Sequence, residues 1–273
     1  MKEYDKYLKL LKEKYPTKQS VYRELINLNA IMNLPKGTEH FMSDLHGEYD
    51  AFYHIINNCS GVIREKVAML YGDELTVYEQ QELCTLIYYP REKLSILMDE
   101  NKVNDEWYRN VLDQLIQIAK LLSSKYTRSK VRKAMPVDFA YIIDELIHAQ
   151  KDEDDNRSVY HRQIMETILS LHNGDEFLVA LTDLIKRLAV DHLHILGDIY
   201  DRGSHADKIL DLLMEHHSVD IQWGNHDILW MGAFCGNPVC MALVVRNNIK
   251  YKTMSILENG YGISLRFLLQ FAV

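Results

Sequence analysis

Apolar positions recur every three to four residues along most of this chain, the spacing of amphipathic helices. Residues 2–15 and about 18–32 read as two such helices, and in the second Val21, Leu25, Leu28, Ile31 and Met32 fall on one face. Asn33-Leu-Pro-Lys-Gly37 interrupts the pattern. Residues 40–43 form a short apolar run, predicted as a buried strand. Asp44-Leu-His-Gly47 follows, and a helix is predicted from about Glu48 through Phe52, Ile55 and Ile56. From about 62 to 190 nearly every segment keeps a helical period. Examples are Val111, Leu112, Leu115, Ile118 and Leu122, then Phe139, Ile142, Ile143 and Leu146, then Leu178, Leu181, Ile185 and Leu188. Residues 151–156 read as a charged loop, and no repeat period is found.

Strand signals return at 192–196. A helix is predicted over about 204–216, a short strand over 219–223, and another helix from Ile228, after Gly224-Asn-His-Asp227. Two strand–loop–helix units thus lie close together, with a third far upstream. Alternating strands and helices predict an α/β core with a mainly parallel sheet. In such sheets the chemistry sits at the carboxyl ends of the strands.

Composition adds limits. The 273 residues are 47% hydrophobic and 26% charged, values of a globular chain long enough for a large core. No window holds 18 consecutive apolar residues, so no transmembrane helix is expected. The first residues are amphipathic and carry acids, unlike a secretory signal. Cys59, Cys84, Cys235 and Cys240 form no CxxC pair and read as free thiols of a cytoplasmic protein. A net charge of −8 argues against a non-specific nucleic-acid binder. It leaves an anionic substrate open, because a metal centre supplies positive charge locally.

Three polar clusters each follow a short apolar strand: Asp44-x-His46, Asp198-x-x-Asp201-Arg202-Gly203 and Asn225-His226-Asp227. Singly, each reads as a helix cap or a turn. Together, a parallel sheet gathers them at one rim. Convergent Asp, His and Asn donors suit borderline-to-hard divalent ions such as Mn, Fe or Zn. A carboxylate bridging two ions holds them about 3.5–4 Å apart, the spacing of two-metal phosphoesterases.

The stretches SDLHGE, GDIYDRG and GNHD resemble the signatures of calcineurin-like metallophosphoesterases. The long helical stretch between His46 and Gly197, with HLHILGDIYDRG and IQWGNHDILWMGA, resembles the class III fructose-1,6-bisphosphatases of Firmicutes along the whole chain. The resemblance implies an α/β calcineurin-like core, a partial, truncated β-sandwich with flanking helices, carrying a large helical insertion. The implied divisions are 1–60 for the N-terminal helices and first metal motif, 61–190 for the insertion, and 191–273 for the continued core. It implies metal-dependent hydrolysis of fructose 1,6-bisphosphate to fructose 6-phosphate and phosphate in gluconeogenesis, with Mn2+ in a two-metal site and Fe or Zn as alternatives. Asp44 and His46 then bind the first metal, Asp198 bridges both, and Asn225 binds the second. His226 serves the leaving alkoxide, Asp201 orients that imidazole, and Arg202 holds phosphate oxygens. Asp227 reads equally as a helix N-cap or as part of the site.

The family pattern also needs two downstream histidines on the second metal, whereas the last histidine here is His226. The expectation is an N-terminal fragment that binds its second metal weakly, has little or no activity, and leaves apolar surface unpaired. Another phosphoesterase of this fold, a protein Ser/Thr phosphatase or a dinucleoside polyphosphatase, is the alternative, as is an inactive fragment. The expected partner is a small phosphorylated sugar, with no nucleic acid and no membrane; the helical surface leaves room for a homo-oligomer. Outside the motifs, His192 and His194 alternate away from Leu193 and Ile195, which suggests structural or supporting roles more than direct site contact. His216 and His217 read as partners of a helix C-terminal dipole. Cys235 and Cys240 read as idle thiols, and Tyr88 and Tyr89 as packing residues.

Overall fold

The computed structural model describes residues 2–149 and 155–272. It is mostly helical, with one three-stranded parallel sheet of order β1-β2-β3 among the described residues. Strand β1 is Glu39–Met42, β2 is His192–Ile195 and β3 is Val219–Ile221. The predicted strands are therefore found, each slightly trimmed or shifted, and the α/β class holds. A second sheet of a sandwich is not formed among the described residues. No helix there is long and apolar enough to cross a membrane.

Two apolar clusters organise the chain. The larger is built from helices between Cys59 and Val190, centred on side chains such as Ile63, Ile87, Leu115, Ile143 and Phe177 that solvent does not reach. Its longest members, Asp105–Ser123 and Gly174–Ala189, pack side by side. The predicted apolar faces at 111–122 and 178–188 are the faces buried there. The smaller cluster lies under the sheet and joins Leu193 and Ile195 of β2 to Leu45, Phe52, Ile199, Ile209, Leu213 and Leu257. Of the predicted charged loop, residues 151–154 lie outside the described residues, and Asp155 already opens the helix Asp155–Ser170.

One predicted helix forms with its apolar face exposed, and the start of another is corrected. The helix Lys18–Ile31 forms behind a Thr17–Ser20 capping box but buries none of its residues. Val21, Leu25, Leu28 and Ile31 are all exposed. Periodicity identifies an apolar face without saying what covers it. The final helix of the motif region begins at Asn225, not Ile228. Asp227, the third residue of that helix, accepts the Gly224 N–H at 2.8 Å and so starts the helix early.

Around the free edge of β3, Trp223, Met231 and Phe234 are exposed and Tyr200 stacks on Trp230 at 4.4 Å, forming an apolar groove. Unpaired apolar surface is therefore present at the sheet edge, as expected.

His216 and His217 do not act as partners of the helix dipole. Their ring nitrogens meet the Ser218 and Val190 carbonyls at 3.0 and 2.9 Å. Burial, then the adjacent His217 ring, holds the His216 pKa down, to about 4 from the ordinary 6.5. The unfolded chain therefore takes up this proton first as pH falls. Stability contributed by neutral His216 is present above pH 6.5 and is lost as pH drops from 6.5 toward 4. Melting curves across that window should show the loss, and His216→Asn should flatten it.

Candidate metal centre

The site is assembled by two loops that leave neighbouring parallel strands and grip each other through the backbone. His46 N–H donates to Asp198 O at 2.8 Å, and Gly47 N–H to Ile199 O at 2.8 Å. Gly203 N–H returns to His46 O at 2.6 Å. The first motif follows β1 and the second follows β2, so both lie at the carboxyl ends of paired strands.

Asp44, His46 and Asp198 all sit in the left-handed region, with φ of 55°, 47° and 52°. Few non-glycine residues do so, and each costs roughly 1–2 kcal/mol. Three such residues in the two loops that meet at the rim mark a constellation held against local preference by its surroundings. Their ligand atoms, one from each side chain, lie within 4.8 Å of one another. His46 Nε2 is 3.7 Å from Asp44 Oδ1. Asp198 Oδ1 is buried and has no hydrogen-bond partner. An orphaned carboxylate oxygen on one of the three donors fits a divalent cation, since burying one without a partner is costly.

The remaining predicted residues surround this trio. Asp201 is almost completely buried and faces three groups: Arg202 Nε at 2.9 Å, His226 Nε2 at 3.3 Å and His46 Nε2 at 3.8 Å. Its position beside His226 is the one expected for orienting that ring. It also holds the Arg202 guanidinium, most of which stays in solvent. Asn225 is exposed at the first position of its helix, next to Gly224, which lies against Asp198. A Cβ on Gly224 would run into Asp198 Oδ1 and its backbone nitrogen. Gly224→Ala is therefore expected to displace this carboxylate and weaken metal binding about 10- to 100-fold, the cost typical of disturbing what orients a ligand. Manganese calorimetry reads the change.

Asp227 proves to be more than a cap. It is buried, and its Oδ1 accepts from both Ile199 N–H at 3.0 Å and Tyr200 N–H at 3.1 Å, while Oδ2 takes Gly224 N–H. One carboxylate thus ties the loop carrying Asp198 to the helix carrying Asn225 and His226. Its place at the third helical position was the only sequence signal for this. Cys235 and Cys240 belong to no ligand cluster among the described residues. Tyr88 and Tyr89 pack edge to face near His54, whose Nδ1 meets the Tyr89 hydroxyl at 2.6 Å.

Comparison with known proteins decides the family. The family model described as Firmicute fructose-1,6-bisphosphatase matches residues 6–273. The chain belongs to this fructose-1,6-bisphosphatase family. Among its relatives, the fructose-1,6-bisphosphatase class 3 1 of Clostridium beijerinckii is 53% identical over 283 residues, covering 100% of this chain and 42% of that protein. The fructose-1,6-bisphosphatase class 3 of Listeria monocytogenes serotype 4b is 55% identical, covering 98% of this chain and 41% of that protein. The class 3 enzyme of Clostridium acetobutylicum is 53% identical, with 98% and 40% covered. The chain thus spans about two-fifths of the length of the curated relatives it matches. No solved structure matches it.

Proposed function

We propose that this chain carries the metal-binding and acid–base residues of a fructose-1,6-bisphosphatase, which hydrolyses the 1-phosphate of fructose 1,6-bisphosphate. The observation that supports it is the convergence of Asp44, His46 and Asp198 at the rim of β1 and β2, in a chain of this family. In this reading the sheet is the first part of a calcineurin-like core, and 61–190 is an insertion into it. Asp44 and His46 would hold one divalent ion, and Asp198 and Asn225 would be donors toward a second. Mn2+ is the assigned metal. Bound there, divalent metal supplies Lewis acidity toward the phosphoryl oxygens.

The chain's own groups do the rest. Arg202, anchored by Asp201, presents a planar donor fork to phosphate oxygens. Asp201 faces the Nε2 edge of His226, which leaves Nδ1 to carry the proton delivered to the departing sugar oxygen. Asp227 keeps the two loops in register for that transfer. The substrate in this reading is a small phosphorylated sugar, handled in the cytoplasm.

A substrate panel with Mn2+, run on the chain extended to the length of its class 3 relatives, tests this reading. Phosphate release from fructose 1,6-bisphosphate that His226→Ala abolishes is the expected result. Turnover of a phosphopeptide or a dinucleoside polyphosphate in its place would overturn the assignment.

A further inference from the structure

We propose that the outer face of the sheet carries a separate transition-metal site, formed by His192, His194 and Asp220 and suited to Zn2+. It does not depend on the phosphatase reading. His192 and His194 are two apart on β2, so both imidazoles stand on the face opposite Leu193 and Ile195. Asp220 is the direct partner of His194 in the β2–β3 register. Ligand atoms from the three side chains lie within 4.8 Å of one another. His194 Nδ1 is 2.8 Å from Asp220 Oδ1, and His192 Nε2 is 3.2 Å from Asp220 Oδ2. Bonds to zinc of about 2.0–2.2 Å place adjacent ligand atoms little more than 3 Å apart, so few atoms need to move.

The surroundings have the form of a supported site. Metal-binding imidazoles use one nitrogen for the ion and the other for an orienting acceptor. Here the His192 ring has that second partner, and the far nitrogen of the His194 ring faces a carboxylate beyond hydrogen-bond reach. His192 Nδ1 meets Ser218 Oγ at 2.6 Å, and His194 Nε2 faces Glu39 Oε2 of β1 at 3.7 Å. His194 Nε2 is also a buried nitrogen with no hydrogen-bond partner. The His194 ring is clamped by Phe41, stacked at 4.3 Å and 13°. Two imidazoles and one carboxylate make a nitrogen-rich set, which favours Zn2+ over the harder Mn2+. The three ligands leave a fourth tetrahedral position for water. His194 lies within β2, whereas Asp198 lies in the loop beyond the strand's end at Ile195, so the ion would be distinct from the centre at the strand ends.

The test uses the untagged 273-residue chain bearing His46→Ala and Asp198→Asn, which removes the first centre. Equilibrium dialysis against Zn2+ should retain one equivalent, and Co2+ in its place should give the visible absorption of a tetrahedral site. Adding His194→Ala or, separately, Asp220→Asn should lower zinc affinity at least about 100-fold, and Glu39→Gln about tenfold. Asp220 is exposed, so its replacement decides the matter if the histidine variant fails to fold. No bound zinc in the background chain would overturn the proposal. So would zinc binding that survives Asp220→Asn unchanged.

Discussion

Replacing Asp198 with asparagine, in the chain extended to the length of its class 3 relatives, is expected to lower phosphate release about 10³-fold. The estimate follows from the several kcal/mol that metal ions contribute to stabilising transition-state charge, at 1.36 kcal/mol per tenfold. The substitution is a clean probe because asparagine tolerates the left-handed backbone at φ 52° about as well as aspartate. The shape stays and the charge goes. Manganese content should fall with activity, because the orphaned Oδ1 is the group that an ion would satisfy. The measurement is initial rate at saturating Mn2+, together with bound metal by emission spectroscopy. Activity within tenfold of the parent would remove Asp198 from the centre.

The largest stability effect is expected at Asp227. Asp227→Ala deletes the acceptor for three N–H groups at Ile199, Tyr200 and Gly224. Hydrogen bonds to charged groups contribute roughly 1.5–3 kcal/mol each, and the N–H groups left behind are costly when buried. Non-additivity trims the sum to about 3–5 kcal/mol. Asp227→Asn keeps one acceptor oxygen and should cost less, about 1–3 kcal/mol. Urea unfolding of the two variants orders them. A loss below about 1 kcal/mol for the alanine variant would mean that the two loops are held together by other contacts.

The strands were legible because each is a short run with apolar residues at alternate positions or in sequence that ends in a polar motif, a pattern with little helical competition. The clustering of Asp44, His46 and Asp198 was legible for the same reason: once the strands are parallel and adjacent, their exits are adjacent. What the sequence left dark is three-dimensional. The left-handed backbone at His46 and Asp198 goes with the hydrogen bond between their loops, not with residue preference. The early start of the helix at Asn225 depends on Asp227 reaching back to Gly224. The alternation of His192 and His194 could be seen, but their meeting with Asp220 requires the β2–β3 register. The exposed helix Lys18–Ile31 shows the opposite case: strong periodicity makes a helix without naming its partner.

Between the end of the helix Gly174–Ala189 and the first residue of β2 stand only Val190 and Asp191. Asp191 is pinned on both sides, by its N–H to Thr38 O at 2.8 Å and by Lys130 Nζ at 2.5 Å from Oδ1. There is no slack in this joint. The end of the helix Gly174–Ala189 and the strand that leads to Asp198 are thus coupled through a two-residue joint fixed to the residue before β1 and to the helical layer, so a shift of that layer would be passed on to β2.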